Sequence, residues 1–256
     1  MNPLQRALIE KAGHDHGFEY VLPVADVRVT LASARHRAQV SIQDSEGHYT
    51  LAFTSPASSL LSAELSRSLP AVARSADSFM ASDQDTLAQL LRRAAELAHA
   101  LPNQAMQDFA ATLQEELAQL PAELQNTEVE RLVRQRVGQQ AFRSAMLDYW
   151  GSACAVTGIA LPEVLRASHA KPWAECASDA ERLDVFNGFL LSANLDALFD
   201  RFLISFSEEG SLLLSPRITP DMQTHLGVNQ SLRLRWLAGE HQAYLHYHRK
   251  RFGSYT

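Results

Sequence analysis

One stretch constrains the fold of this 256-residue chain more than any other. A strand-like run, Val164–Ala170, ends at His169 and is stopped by Pro172. A polar loop, AECASDAERLD, follows it. Asn187-Gly188 then makes a turn dipeptide that leads into a second apolar run, Phe189–Leu191. Ser192 or Asn194 can cap a helix starting directly after it, and that helix carries Asp196 and Asp200. The predicted order is strand, loop, strand, helix.

Asp196 and Asp200 stand at i and i+4, so a helix places them one turn apart on one face. Two carboxylates so placed repel each other unless a cation lies between them. Hard oxygen donors of this kind suit Mg²⁺ or Mn²⁺ better than a soft metal. A histidine delivered from a strand end can activate a water next to such an ion.

These residues resemble a known family. SHAKPW, then FNGFLLSANLDALFDRFLISF, and the preceding GQQAFRSAMLDYWGSACAVTG are similar to the HNH endonucleases, in the variant found in bacterial restriction-type proteins. The resemblance covers about residues 134–215 and extends weakly to the tail YLHYHRKRFG. It implies a ββα-metal finger like that of colicin-type DNases, with a single catalytic metal and DNA as partner. By the same resemblance His169 is the general base and Asn187 the loop residue that pins the histidine ring. Asp196 and Asp200 are the metal ligands on the helix. Ser168 stands where many members have an Asp, Glu or His ligand, which leaves it a weak or water-mediated one. Zinc-binding cysteine pairs often flank the motif in this family. Here Cys154 and Cys176 form no CxxC pair, so no structural zinc is expected. Lys171, Arg201 and Arg166 are phosphate contacts by position. Trp173 is expected to pack, Cys154 to be buried, and Cys176 to be an incidental loop residue.

The rest of the chain is less informative. A short helix is expected over 3–13, and strands over Phe18–Val24, Val27–Ala32, Gln39–Ile42 and Tyr49–Thr54. A helix is expected to close before Pro70. The small-residue stretch AVARSADSFMASD reads as a hinge or loop. Helices over Thr86–Ala100 and Gln104–Leu120 follow, the first with Leu87, Leu90, Leu91, Ala94 and Leu97 on one face. That seam reads as helix–helix core. A homodimer interface over 86–120 is the alternative, because one hydrolytic centre cuts both strands only as a dimer or in two binding events. A polar linker is placed near 121–128, before a helix over Glu128–Tyr149. The HYHRKR tail reads as a strand edge or terminal basic patch.

The expected fold is α+β, with a small α+β module and helices over 1–125 and the nuclease domain over 126–256. Residues 1–130 carry 9 Lys/Arg against 17 Asp/Glu, and residues 131–256 carry 14 against 12. The acidic front excludes a large phosphate-binding face there. Arg35 and Arg37, beside Arg28 and His36, are its only basic cluster and the candidate recognition residues for DNA. No run approaches the ~20 apolar residues of a membrane span, and no secretory signal is visible. A cytoplasmic, DNA-cleaving enzyme of restriction or defence is the expectation. A catalytically weakened HNH fold that binds DNA or a partner is its rival.

Overall fold

Strand alternation organises the front of the chain. In β3 (Gln39–Ser45) Val40 and Ile42 point inward, and in β4 (His48–Thr54) Tyr49, Leu51 and Phe53 do so. The two strands pair from Gln39↔Thr54 to Ser45↔His48 across a two-residue turn, Glu46-Gly47. Both turn residues have positive φ (56° and 86°), which matches the twist of a tight hairpin and explains the glycine. The computed structural model describes residues 1–23, 27–75, 77–102, 104–121 and 127–254.

By contact density these residues form two units, Met1–Gln104 and Ala105–Thr256. In the first, β1 (Tyr20–Leu22), β2 (Val29–Ala32), β5 (Ala73–Ser75) and β6 (Ser78–Ala81) join β3 and β4 in an antiparallel sheet of order β1-β2-β3-β4-β6-β5. The stretch expected to be a hinge therefore supplies two strands. Phe79 and Ala81 alternate inward on β6, a pattern that the surrounding small residues mask in the sequence. Val24, at the end of the first expected strand, and Ala76, inside the expected hinge stretch, lie outside the described residues.

Helices α1 (Pro3–Asp15), α2 (Ser58–Ser68) and α3 (Gln84–Ala100) pack with this sheet. Asn2 and Gln5 form a capping box on α1, and Asp83 accepts from the Thr86 amide at 2.7 Å to start α3. Leu87, Leu90, Leu91, Ala94 and Leu97 are all fully buried, so the α3 seam is core and offers no exposed dimer face.

The second unit begins with α4 (Gln104–Ala118) and α5 (Thr127–Tyr149). An Arg136–Glu116 ion pair joins them, and Phe109 of α4 approaches Gly138 of α5. The expected linker falls largely on 122–126, outside the described residues. Then come β7 (Leu165–His169), α6 (Asp179–Leu183), β8 (Gly188–Ser192), α7 (Ala193–Phe199), the β9–β10 hairpin (Ile204–Phe206, Leu212–Leu214), α8 (Pro220–Leu226) and α9 (His241–Gly253). The molecule is an α+β protein, and the strand–loop–strand–helix order is present as β7, loop, β8, α7.

The tail differs from expectation. HYHRKR belongs to α9, and His241, Leu245 and His248 form its buried stripe. The two-residue alternation of His246 and His248 suggested a strand, but the packed period is helical. His248 stacks on Phe199 with centroids 3.8 Å apart. Its ring nitrogens meet Ser205 Oγ and the Phe199 carbonyl, each at 3.0 Å. Burial pushes its pKa down to about 4.

Candidate functional site

The β7–β8 hairpin and α7 build the site. All five residues of β8 are buried, as an apolar strand between layers must be. Register pairs His169 with Gly188 and Leu165 with Ser192. A Cβ on Gly188 would run into the Ser168 carbonyl oxygen, so glycine is needed here for close approach of the strands.

Strand alternation turns Ser168 toward α7. Its hydroxyl, 2 % exposed as a residue, donates to Asp196 Oδ1 at 2.6 Å. Asp196 lies in the first turn of α7, and Asp200 is the C-cap residue, its amide donating to the Asp196 carbonyl at 2.9 Å. Loss of hydration, and secondarily the Asp196 charge, push the Asp200 carboxyl up to about 6, although the residue as a whole is solvent-exposed. The Arg201 charge pulls the other way and only partly offsets these two effects. Asp196, Asp200 and the Ser168 hydroxyl offer hard oxygen donors, the chemistry that suits a divalent cation. Among the described residues no group of three or more His, Cys, Asp or Glu is placed to hold a metal, so water and substrate would complete the shell.

His169 points to the other face of β7. Its ring stacks on Phe142 of α5 with centroids 3.8 Å apart and meets the edge of Trp173 at 5.7 Å. Nε2 is 2.9 Å from the Arg182 carbonyl oxygen. A carbonyl only accepts, so Nε2 carries the hydrogen and Nδ1 the lone pair. Burial lowers the pKa to about 4, against the opposing pull of the Arg182 carbonyl. The imidazole is neutral at pH 7 and can accept a proton at Nδ1.

Asn187 is fully buried. Its Oδ1 accepts from the Lys171 amide at 2.8 Å. Its Nδ2 donates to the Glu181 carbonyl at 2.9 Å and, at 3.3 Å, to the Lys171 carbonyl and Cys176 Sγ. It thus sews the loop together rather than gripping the ring. The grip on His169 is indirect, because the carbonyl next to the one Asn187 holds is the one that meets Nε2. Cys176 is not incidental: it is buried and belongs to this packing. Cys154 is buried as expected.

The basic candidates sort differently. Lys171 is engaged with Glu181 at 2.8 Å, which reduces its availability to a phosphate. Arg201 is exposed, with Nη1 on the Ala197 carbonyl at 3.1 Å. Arg166 is exposed on the same β7 face as Ser168, with Nη1 on the Glu163 and Leu165 carbonyls. In the first unit Arg35 and Arg37 are exposed, but the intervening His36 is buried edge-on to Phe18, so the cluster is not one continuous basic surface. In the tail, Arg251 pairs with Glu175 at 3.0 Å and His248 is core. Arg182, Phe142 and Glu181 all touch the site and were not singled out in the sequence. Their partners are mostly backbone carbonyls and rings distant in the chain, which leave no spacing pattern to read.

Residues 154–207 match the family model described as HNH endonuclease. This segment is an HNH domain. The matched window holds Ser168, His169, Asn187, Asp196 and Asp200, with the whole of β7, β8 and α7. No curated protein is significantly similar to the chain. Among the described residues no helix is long and apolar enough to cross a membrane.

Proposed function

We propose that the protein is a metal-dependent endonuclease that hydrolyses DNA phosphodiester bonds through its HNH domain. The observation that carries this reading is the His169 ring. Its Nε2–H is fixed on a carbonyl and its Nδ1 is left as a base, on the strand that also presents Ser168 to Asp196. In this reading His169 Nδ1 takes a proton from the attacking water as the water oxygen bonds to phosphorus and the bond to the leaving oxygen breaks. Asp196 and Asp200, with Ser168, would hold the divalent ion, which neutralises charge on the phosphate and the leaving oxygen. Asn187 keeps the loop over His169 in shape. Arg166 and Arg201 contact the DNA backbone, and Arg35 and Arg37 of the front unit contribute to target choice. The biological setting we propose is cytoplasmic restriction or defence, with a homodimer as the route to cutting both strands.

Purified protein should relax or linearise plasmid DNA with added Mg²⁺ or Mn²⁺, and His169→Ala should lower that activity by about 10²–10⁴-fold. Wild-type cutting by His169→Ala would remove the base assignment. A second reading, a weakened HNH fold that binds DNA or a partner, draws support from the two-carboxylate site and the strongly buried His169. Calorimetric titration with Mn²⁺ separates the two: binding that disappears in Asp196→Ala favours the nuclease.

A further inference from the structure

Arg182 makes four separate engagements within the loop that covers His169. Nε donates to the Trp173 carbonyl at 3.2 Å and Nη2 to the Cys176 carbonyl at 2.8 Å. Nη1 donates to Asp179 Oδ1 at 2.9 Å, and the other Asp179 oxygen accepts from Arg134 Nη1 of α5 at 2.5 Å. The guanidinium also lies over the Trp173 ring, 5.6 Å from its centroid. Both loop carbonyls precede α6; the Trp173 carbonyl also accepts the Cys176 amide at 3.3 Å, and the Arg182 side chain adds a donor to it and one to the Cys176 carbonyl, tying the two ends of this turn together.

Both ends of this residue reach His169. Its main-chain carbonyl accepts the Nε2 hydrogen, and its side chain fixes Trp173, whose indole edge meets the imidazole. We infer that Arg182 is a positioning residue that fixes the tautomer and orientation of His169, leaving Nδ1 as the lone-pair nitrogen. The inference rests on the reading of His169 as the base. Only arginine meets this geometry, because three donor directions lie in one plane with a stacking face. A lysine offers one point charge and would keep at most one of the carbonyls.

The test uses metal-free, full-length Arg182→Met and Arg182→Lys. The first readout is the His169 tautomer, from long-range ¹H–¹⁵N correlations assigned against His169→Gln. The second is kcat and KM for plasmid relaxation with Mn²⁺ restored. The wild type should show a single Nε2–H tautomer, and both variants a mixture. In both, kcat should fall about 10- to 100-fold, the usual loss when a group orienting a site residue is removed, with KM within twofold. A pure Nε2–H tautomer in Arg182→Met overturns the inference, whatever happens to kcat. Loss of fold in both variants also overturns it, making Arg182 a general structural residue. A changed tautomer with unchanged kcat leaves the positioning intact and sinks the base assignment instead.

Discussion

At the residue scale, two buried histidines and one carboxyl make opposing contributions to the pH dependence of stability. His169 and His248 both have pKa values lowered by burial to about 4. The unfolded chain, near 6.5, binds those protons more readily, so their contribution to stability is present above pH 6.5 and is lost as pH falls toward 4. The loss is on the order of a few kcal/mol for each histidine. Asp200 acts in the opposite sense: its carboxyl, raised to about 6, favours folding when protonated and loses that contribution as pH rises from 4 to 6. Urea denaturation in chelator at pH 7.5, 6 and 5 should show stability falling with pH. Asp200→Asn should make that fall steeper by removing the opposing group. A flatter profile in Asp200→Asn would contradict the assigned shifts. With metal present, affinity should weaken below pH 6, where Asp200 takes up its proton, as titration with Mn²⁺ at pH 7.5 and 5.5 can measure.

At the element scale, the β7–β8 hairpin tolerates no side chain at Gly188, because a Cβ would strike the Ser168 carbonyl. Gly188→Ala should destabilise the protein by about 1–3 kcal/mol, the usual cost of overpacking, and should reduce cleavage further by shifting Ser168 against Asp196. A variant as stable and as active as wild type would show that the strands can part freely. The α3 seam makes a separate prediction. Leu91 is fully buried, so Leu91→Ala should cost about 2–5 kcal/mol with no change in oligomeric state by light scattering. The strand–loop–strand–helix order was legible because apolar runs, a turn dipeptide and a cap mark it directly. Strands β5 and β6 were not, because small residues on both sides conceal the inward Phe79 and Ala81. Helix α9 was misread because two histidines two residues apart mimic a strand, whereas burial selects the helical stripe His241, Leu245, His248.

At the scale of the whole molecule, each unit has its own core: sheet and helices in Met1–Gln104, and the HNH domain with its flanking helices in Ala105–Thr256. Residues 105–256 expressed alone should therefore fold and still bind Mn²⁺. If the front unit selects the target, the fragment should cut DNA with less discrimination than the full chain. The substitutions Arg35→Ala and Arg37→Ala together, in the full chain, should reproduce part of that loss. Unchanged affinity and selectivity in the double variant would remove the front unit's basic loop from recognition.

The sequence by itself marked the HNH segment and the strand–loop–strand–helix order that carries the candidate residues His169, Asn187, Asp196 and Asp200, because side-chain identity at strand ends and helical spacing is written in the chain. It also determined the hard-oxygen character of the two aspartates. The tertiary structure alone decided what each of these residues touches. It stacked His169 on Phe142, set Asn187 to hold the loop instead of the ring, drew Lys171 to Glu181, and tied the Arg182 side chain to Trp173, Cys176 and Asp179. The physical reason is that most of these partners are backbone carbonyls. Every residue carries one, so the sequence does not say which will be near, and only the folded path of the loop selects the carbonyl of Arg182.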